Sequence, residues 1–138
     1  MSNRVVGGGR SGGCSMDTGK GRFRILVVED SPVVAIAIEE MLHELGHTVL
    51  GPAGNMATAL ELAENEEMDA AIVDLNIRGT KAYSLLKILE IRDVPFLLAS
   101  GYADWTMPAE WENRPRLHKP FSTSQLKAKL GELLSSIA

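Results

Sequence analysis

Apolar residues in this chain gather in short unbroken runs, and between the runs they recur every three or four positions. Arg24–Val28, Ala70–Asp74 and Phe96–Ser100 hold runs of the first kind and predict strands buried on both faces; Thr48–Gly51 gives another strand, and Arg116–His118, with Leu117 its one apolar residue, a brief fifth. The intervening segments predict helices. Ser31 is a good N-cap and Pro32 suits the first helical position, which predicts a helix from Pro32 to Leu45 with Gly46 as its left-handed stop. In that helix Val33, Ile36, Ala37, Glu40, Met41, Glu44 and Leu45 mix an apolar stripe with an acidic face. Asn55 caps a helix over Met56–Asn65 with Ala59, Leu60, Leu62 and Ala63 inward, and Leu85, Leu86 and Leu89 mark the buried side of a third over Ala82–Glu90. Val94-Pro95 then resets the chain to extended geometry. Pro108 interrupts the stretch from Tyr102 to Pro115, which holds at most a short or distorted helix. The last helix runs from Ser122 to Ile137, opened by a capping box of Ser122 and Gln125 and lined by Leu126, Leu130, Leu133, Leu134 and Ile137. Strands alternating with helices, without an internal repeat, predict an α/β protein: a doubly wound, five-stranded parallel sheet with helices on both faces.

Size and composition narrow the picture. A chain of 138 residues suits one domain of the usual 100–150. Residues 1–21 carry seven glycines among scattered Ser and Arg, and are expected to be a disordered tail ahead of a domain over 22–138; Met16 is an alternative start. Arg4, Arg10, Lys20, Arg22 and Arg24 make this region mildly basic, and a solvated leader is the expected role. The whole chain is 45% hydrophobic and 23% charged with a net charge of −4, which lacks the basic excess of a nucleic-acid binder. No apolar run approaches a membrane span or a secretory signal, and the single Cys14 has no partner for an internal disulfide. A cytoplasmic protein without nucleic-acid or membrane partners is expected.

The strand ends bring in the chemistry. Glu29 and Asp30 follow the first strand, Asp74 ends the third, Ser100 ends the fourth, and Lys119 follows the fifth. In an open parallel sheet the carboxyl ends of the strands share one edge, where ligands bind. Strand ends meet solvent and are polar for that reason, yet solvation does not account for the complementarity of three acids, a hydroxyl and an ammonium. Crowded carboxylates repel unless a divalent cation joins them, and Mg²⁺ suits an open oxygen cluster with phosphate oxygens beside it.

Glu29-Asp30-Ser31, Asp74, Ser100 and Lys119-Pro120-Phe121 together resemble the phosphorylation site of two-component response-regulator receiver domains, over a match running from Phe23 to the C-terminus. The resemblance implies a flavodoxin-like receiver fold and a single-domain response regulator. It implies that Asp74 is the phosphoacceptor, taking a phosphoryl group from a phosphohistidine of a histidine kinase or histidine phosphotransfer protein. Asp30 would bind Mg²⁺ directly together with Asp74, Glu29 through water, and Asn76 through its backbone carbonyl. Lys119 would pair with phosphoryl oxygens and Ser100 would move to hydrogen-bond one of them. The Lys119-Pro120 bond resembles the family's cis peptide. The protein would catalyse only its own phosphorylation and dephosphorylation, and would signal by protein contact or as a phosphate shuttle or sink, to an output partner the residues do not name.

Departures from the family pattern are equally specific. Arg116 stands where many receivers carry an aromatic switch, and Arg78 stands where a proline often follows the acceptor loop. Leu98-Ala99-Ser100-Gly101-Tyr102 is similar to a Phe-Ala-Thr-Gly-Tyr-type subclass with a reduced fourth helix, often stand-alone proteins, and no output domain is expected after the last helix. Tyr102, Trp105 and Trp111 are switch or partner-contact candidates, with packing over the sheet the plainer expectation for at least one tryptophan. Other readings fare worse. An aspartyl-nucleophile phosphatase would need a second Asp where Asn76 stands, and a flavodoxin-like or dinucleotide-binding module would need a phosphate loop where Glu29-Asp30 stands. A receiver-like module that binds without phosphorylation would not need the full set of site residues.

Overall fold

The computed structural model of the chain describes residues 22–101 and 108–135. The tail expected over residues 1–21 and Ile137 lie outside them. Strands β1 (Arg24–Val28), β2 (Thr48–Ala53), β3 (Ala70–Asp74), β4 (Phe96–Ser100) and β5 (Arg116–His118) alternate with helices α1 (Pro32–Glu44), α2 (Met56–Asn65), α3 (Tyr83–Ile91), α4 (Ala109–Glu112) and α5 (Thr123–Ser135). The strands form one parallel sheet in the order β2-β1-β3-β4-β5. This is the predicted doubly wound arrangement, with β1 and β3 side by side where the winding reverses.

Alternation along the strands divides the core in two. Leu26, Val28, Ala71, Val73, Phe96 and Leu98 face a layer made by Ala59 and Ala63 of α2, Leu85, Leu86 and Leu89 of α3, and Trp111 of α4. Ile25, Val27, Ala70, Ile72, Leu97, Ala99 and Leu117 face the other layer, made by Ile38 and Leu42 of α1 and Leu126, Leu130, Leu133 and Leu134 of α5. A fully buried aliphatic side chain contributes about 1.5–3 kcal/mol, so these stripes outweigh any single cap, worth about 1 kcal/mol.

The caps themselves form as the sequence predicts. Ser31 Oγ accepts from Val34 N–H at 3.5 Å, and Asn55 Oδ1 accepts from Thr58 N–H at 2.8 Å. At α5 the box closes in both directions: Gln125 N–H donates to Ser122 Oγ at 3.1 Å, and Ser122 N–H donates to Gln125 Oε1 at 2.8 Å.

Two expectations change. Helix α1 buries Ala35, Ile38 and Leu42, while Val33 is 77% and Ile36 is 55% exposed. Apolar residues surround this helix, so periodicity alone allows two faces; the face through Val33 and Ile36 also carries Glu40 and Glu44, whose charges must stay in water. Strand β2 does not stop at Gly51 but continues to Ala53 through an irregularity in its pairing with β1. Gly51 has φ +98°, and a Cβ there would lie 2.8 Å from Ala53 N and 3.1 Å from Val27 O. Only glycine lets the strand bend at this point and still present the Ala53 carbonyl to Glu29 N–H, 3.0 Å away. No helix among the described residues is long and apolar enough to cross a membrane.

Candidate functional site at the carboxyl edge of the sheet

Four of the five strands hand over polar groups along this edge, two of them from the end of β1. Val28 is the last residue of β1, and the chain turns at once into α1, so Glu29 and Asp30 are held between a strand end and a capped helix start. Glu29 is buried; its Oε2 accepts from Ser31 N–H at 3.1 Å and its Oε1 accepts from Lys119 Nζ at 3.0 Å. Asp74 closes β3 and is also buried. Its Oδ1 accepts from Asn76 N–H at 3.1 Å and its Oδ2 accepts from Lys119 Nζ at 2.8 Å. Lys119 reaches this position because its backbone N–H is fixed to Ser100 O at 2.8 Å, which ties the end of β5 to the end of β4; the Lys119–Pro120 bond is cis. Thus Glu29, Asp74 and Lys119, from three separate strand ends, form one ion-paired unit.

Asp30 completes the acidic set. One carboxylate oxygen from each of Glu29, Asp30 and Asp74 lies within 4.8 Å of the others. Three carboxylates against one ammonium leave an excess of negative charge in a partly desolvated site. Burial pushes the Glu29 carboxyl above its ordinary range, against the opposing pull of Lys119 and the Ser31 N–H, with nearby Asp74 adding to the rise. Burial alone would lower the Lys119 ammonium; its hydrogen bonds to Asp74 and Glu29, and their charges, outweigh that and raise it.

Two buried oxygens here have hydrogen-bonding capacity not used by the protein. Among the described residues Ser100 Oγ and Asn76 Oδ1 both lack a partner, and a buried hydroxyl or amide oxygen ordinarily has one. An oxygen-only donor set with surplus negative charge is what a hard cation of the Mg²⁺ kind requires, so the residues fit that ion.

Of the residues singled out in the sequence, Glu29, Asp30, Asp74, Asn76, Ser100 and Lys119 are gathered at this edge. Tyr102 and Trp105 lie outside the described residues. Trp111 is not available to a partner: it is 2% exposed, its ring 6.0 Å from that of Phe96, with Lys87 and Arg114 over it at 5.7 and 5.1 Å. Just beyond Asp74 the chain forms a small antiparallel hairpin, Asn76–Ile77 pairing with Thr80–Lys81. Its two-residue turn, Arg78-Gly79, has positive φ at both positions, 51° and 85°, the pattern of a type I′ turn. Gly79 was the available signal. Arg78 N–H donates to Asp30 Oδ2 at 2.8 Å, and Arg78 Nε donates to the carbonyl of Gly54 at 3.0 Å.

The fold and the site together define a doubly wound α/β protein that concentrates acids, a hydroxyl and a lysine at the switch point of its sheet. Residues 25–131 match the response regulator receiver domain family, and the chain belongs to that family. Among curated proteins it is 33% identical over 107 residues to the transcriptional regulatory protein PdtaR of Mycobacterium tuberculosis, covering 75% of this chain and 52% of that protein. The chain therefore spans about half the length of that relative. Among solved structures, SdrG from Sphingomonas melonis Fr1 superposes with a TM-score of 0.75 at 37% identity, over 82% of this chain and 97% of SdrG. The receiver domain of a sensor histidine kinase from Pseudomonas aeruginosa PAO1, which has a magnesium ion coordinated in its active site cleft, superposes with a TM-score of 0.69 at 27% identity, over 83% and 99% of the two chains. Receiver domains bind Mg²⁺ in an acidic active site, and this chain has an acidic cluster of Glu29, Asp30 and Asp74.

Proposed function

We propose that this protein is a phosphorylated response regulator in which Asp74 accepts a phosphoryl group from the phosphohistidine of a histidine kinase or histidine phosphotransfer protein. The observation that carries the reading is the shared lysine: Lys119 Nζ lies 2.8 Å from Asp74 Oδ2 and 3.0 Å from Glu29 Oε1, beside the third acid of the cluster. In the transfer a carboxylate oxygen of Asp74 forms the new O–P bond as the P–N bond to the donor imidazole breaks, and the imidazole leaves with the bonding pair. Phosphoryl transfer needs in-line positioning and neutralised oxygen charge more than it needs covalent help. Lys119 supplies one positive charge at the acceptor, and Ser100 Oγ, without a partner among the described residues, supplies a donor for a phosphoryl oxygen. Asp30 and Asp74, with Glu29 and the Asn76 backbone carbonyl, would hold Mg²⁺, which when bound neutralises charge on the transferred group. The protein turns over only its own phosphoryl group, and its output is a contact with another protein, in keeping with a net charge of −4.

The test is incubation with a small phosphodonor and Mg²⁺, followed by intact mass. One added phosphoryl group is expected on the wild type, none on Asp74→Asn, and none when a chelator removes the metal. Equal labelling of wild type and Asp74→Asn would sink the assignment, and steady release of many equivalents of phosphate from a monoester would point to a phosphatase instead.

A further inference from the structure

Arg78 occupies the first position of a type I′ turn, where Asn, Asp or Gly is the usual residue because φ is positive. An L-residue with a long side chain is held there at a conformational cost, and backbone outliers of this kind gather where surrounding contacts over-determine them. Two contacts do so here. The Arg78 N–H meets Asp30 Oδ2 at 2.8 Å, and the guanidinium Nε meets the Gly54 carbonyl at 3.0 Å. A third bond closes the ring, since Glu29 N–H donates to Ala53 O at 3.0 Å. The loops after β1, β2 and β3 are thereby linked each to the other two.

We infer that Arg78 is a positioning residue for the cation site. Its guanidinium pins the turn to the loop after β2, so that its own N–H stays aimed at Asp30 and fixes the rotation of that carboxylate. Asp30 is half-buried and shares neither of the contacts that lock Glu29 and Asp74 to Lys119, so the bond from Arg78 N–H is what sets its orientation. The main-chain donor alone does not suffice, as the turn that carries it belongs to a hairpin of only two residue pairs. This inference rests on the proposed Mg²⁺-assisted reading of the same site.

Its sign separates it from simple electrostatics. Arg78 is a positive charge near a site for a cation, so deleting that charge strengthens Mg²⁺ binding if charge is all that matters. A positioning role predicts the reverse. The experiment is an Mg²⁺ titration of the full chain followed by backbone amide shifts, on wild type, Arg78→Met, Arg78→Lys and Arg78→Gly, with thermal melting in parallel. Loss of an outer-shell partner typically weakens metal binding by about tenfold or more, which is the expectation for Met and Gly. Lys, which keeps a donor on a long stem, recovers part of the loss. Gly accepts the positive φ without strain, so it is expected to melt no lower than wild type while still binding Mg²⁺ more weakly; a structural role alone cannot give that split. It also covers the case in which the Met variant does not fold. Met and Gly variants that bind Mg²⁺ as tightly as wild type, or more tightly, would overturn the role of Arg78 and leave the function of Asp74 standing. A wild type that binds no Mg²⁺ would overturn both.

Discussion

Helices α4 and α5 flank the same short strand, β5, and are held in opposite ways. Helix α5 carries its own determinants: a reciprocal capping box at Ser122 and Gln125, and four leucines set into the core. Helix α4 has four residues, no side-chain cap, and one buried side chain, Trp111. What holds it belongs to its neighbour. Lys87 and Glu90 of α3 pair with Glu110 and Arg114, and the Arg114 guanidinium lies over both Trp111 and Phe96, at 5.1 and 5.2 Å. A helix this short cannot support itself, since a first turn costs more than its few hydrogen bonds return. The edge of the sheet beside β4 is therefore ordered by one tryptophan and the charges around it, and the edge helix α5 by its own sequence.

That contrast can be broken at its strongest point. Trp111→Ala is expected to lower the unfolding free energy by about 3–5 kcal/mol in urea denaturation, the usual cost of emptying a large aromatic site. A loss below about 1 kcal/mol would mean that α4 does not depend on its anchor. Gly131→Ala sharpens the other side. A Cβ at Gly131 would meet nothing within 4 Å, so α5 should gain about 1 kcal/mol from helix propensity alone. The smallest effect belongs to the ion pairs. Lys87 and Glu110 are both exposed, so Glu110→Gln should cost no more than about 1 kcal/mol, and the difference from wild type should vanish in about 1 M salt. A salt-independent loss would show that the pair orders α4 by geometry instead of charge.

The same contrast explains what could be read in advance. Strands β1, β3 and β4 were legible because buried parallel strands are plain apolar runs, β5 as a brief strand ahead of Lys119-Pro120-Phe121, and α2 and α5 because Asn55, Ser122 and Gln125 are local signals that act within a few residues. The acids, Ser100 and Lys119 followed from strand ends sharing one edge. What the chain hid depended on distant partners. The buried face of α1 was set by which side carried Glu40 and Glu44, a matter of charge where apolar spacing was ambiguous. The continuation of β2 past Gly51 depended on a bend against Val27, and the burial of Trp111 depended on Phe96 of β4 and Lys87 of α3. Arg78 was visible only as a residue out of place, because the Gly54 carbonyl and Asp30 that give it a purpose lie 24 and 48 residues earlier.

The division of β3 between two helical layers also restricts how such a chain can change over generations. Ile72 belongs to one layer and Val73 to the other, and Asp74 follows them out of the sheet. Substitutions among Val, Ile, Leu and Ala at these positions preserve that order. A single codon gained or lost within the strand does not: it exchanges the layers met by the strand's later residues and moves the terminal acid by one pleat, away from the lysine that follows β5. Composition in this segment is free to drift, and its length is not.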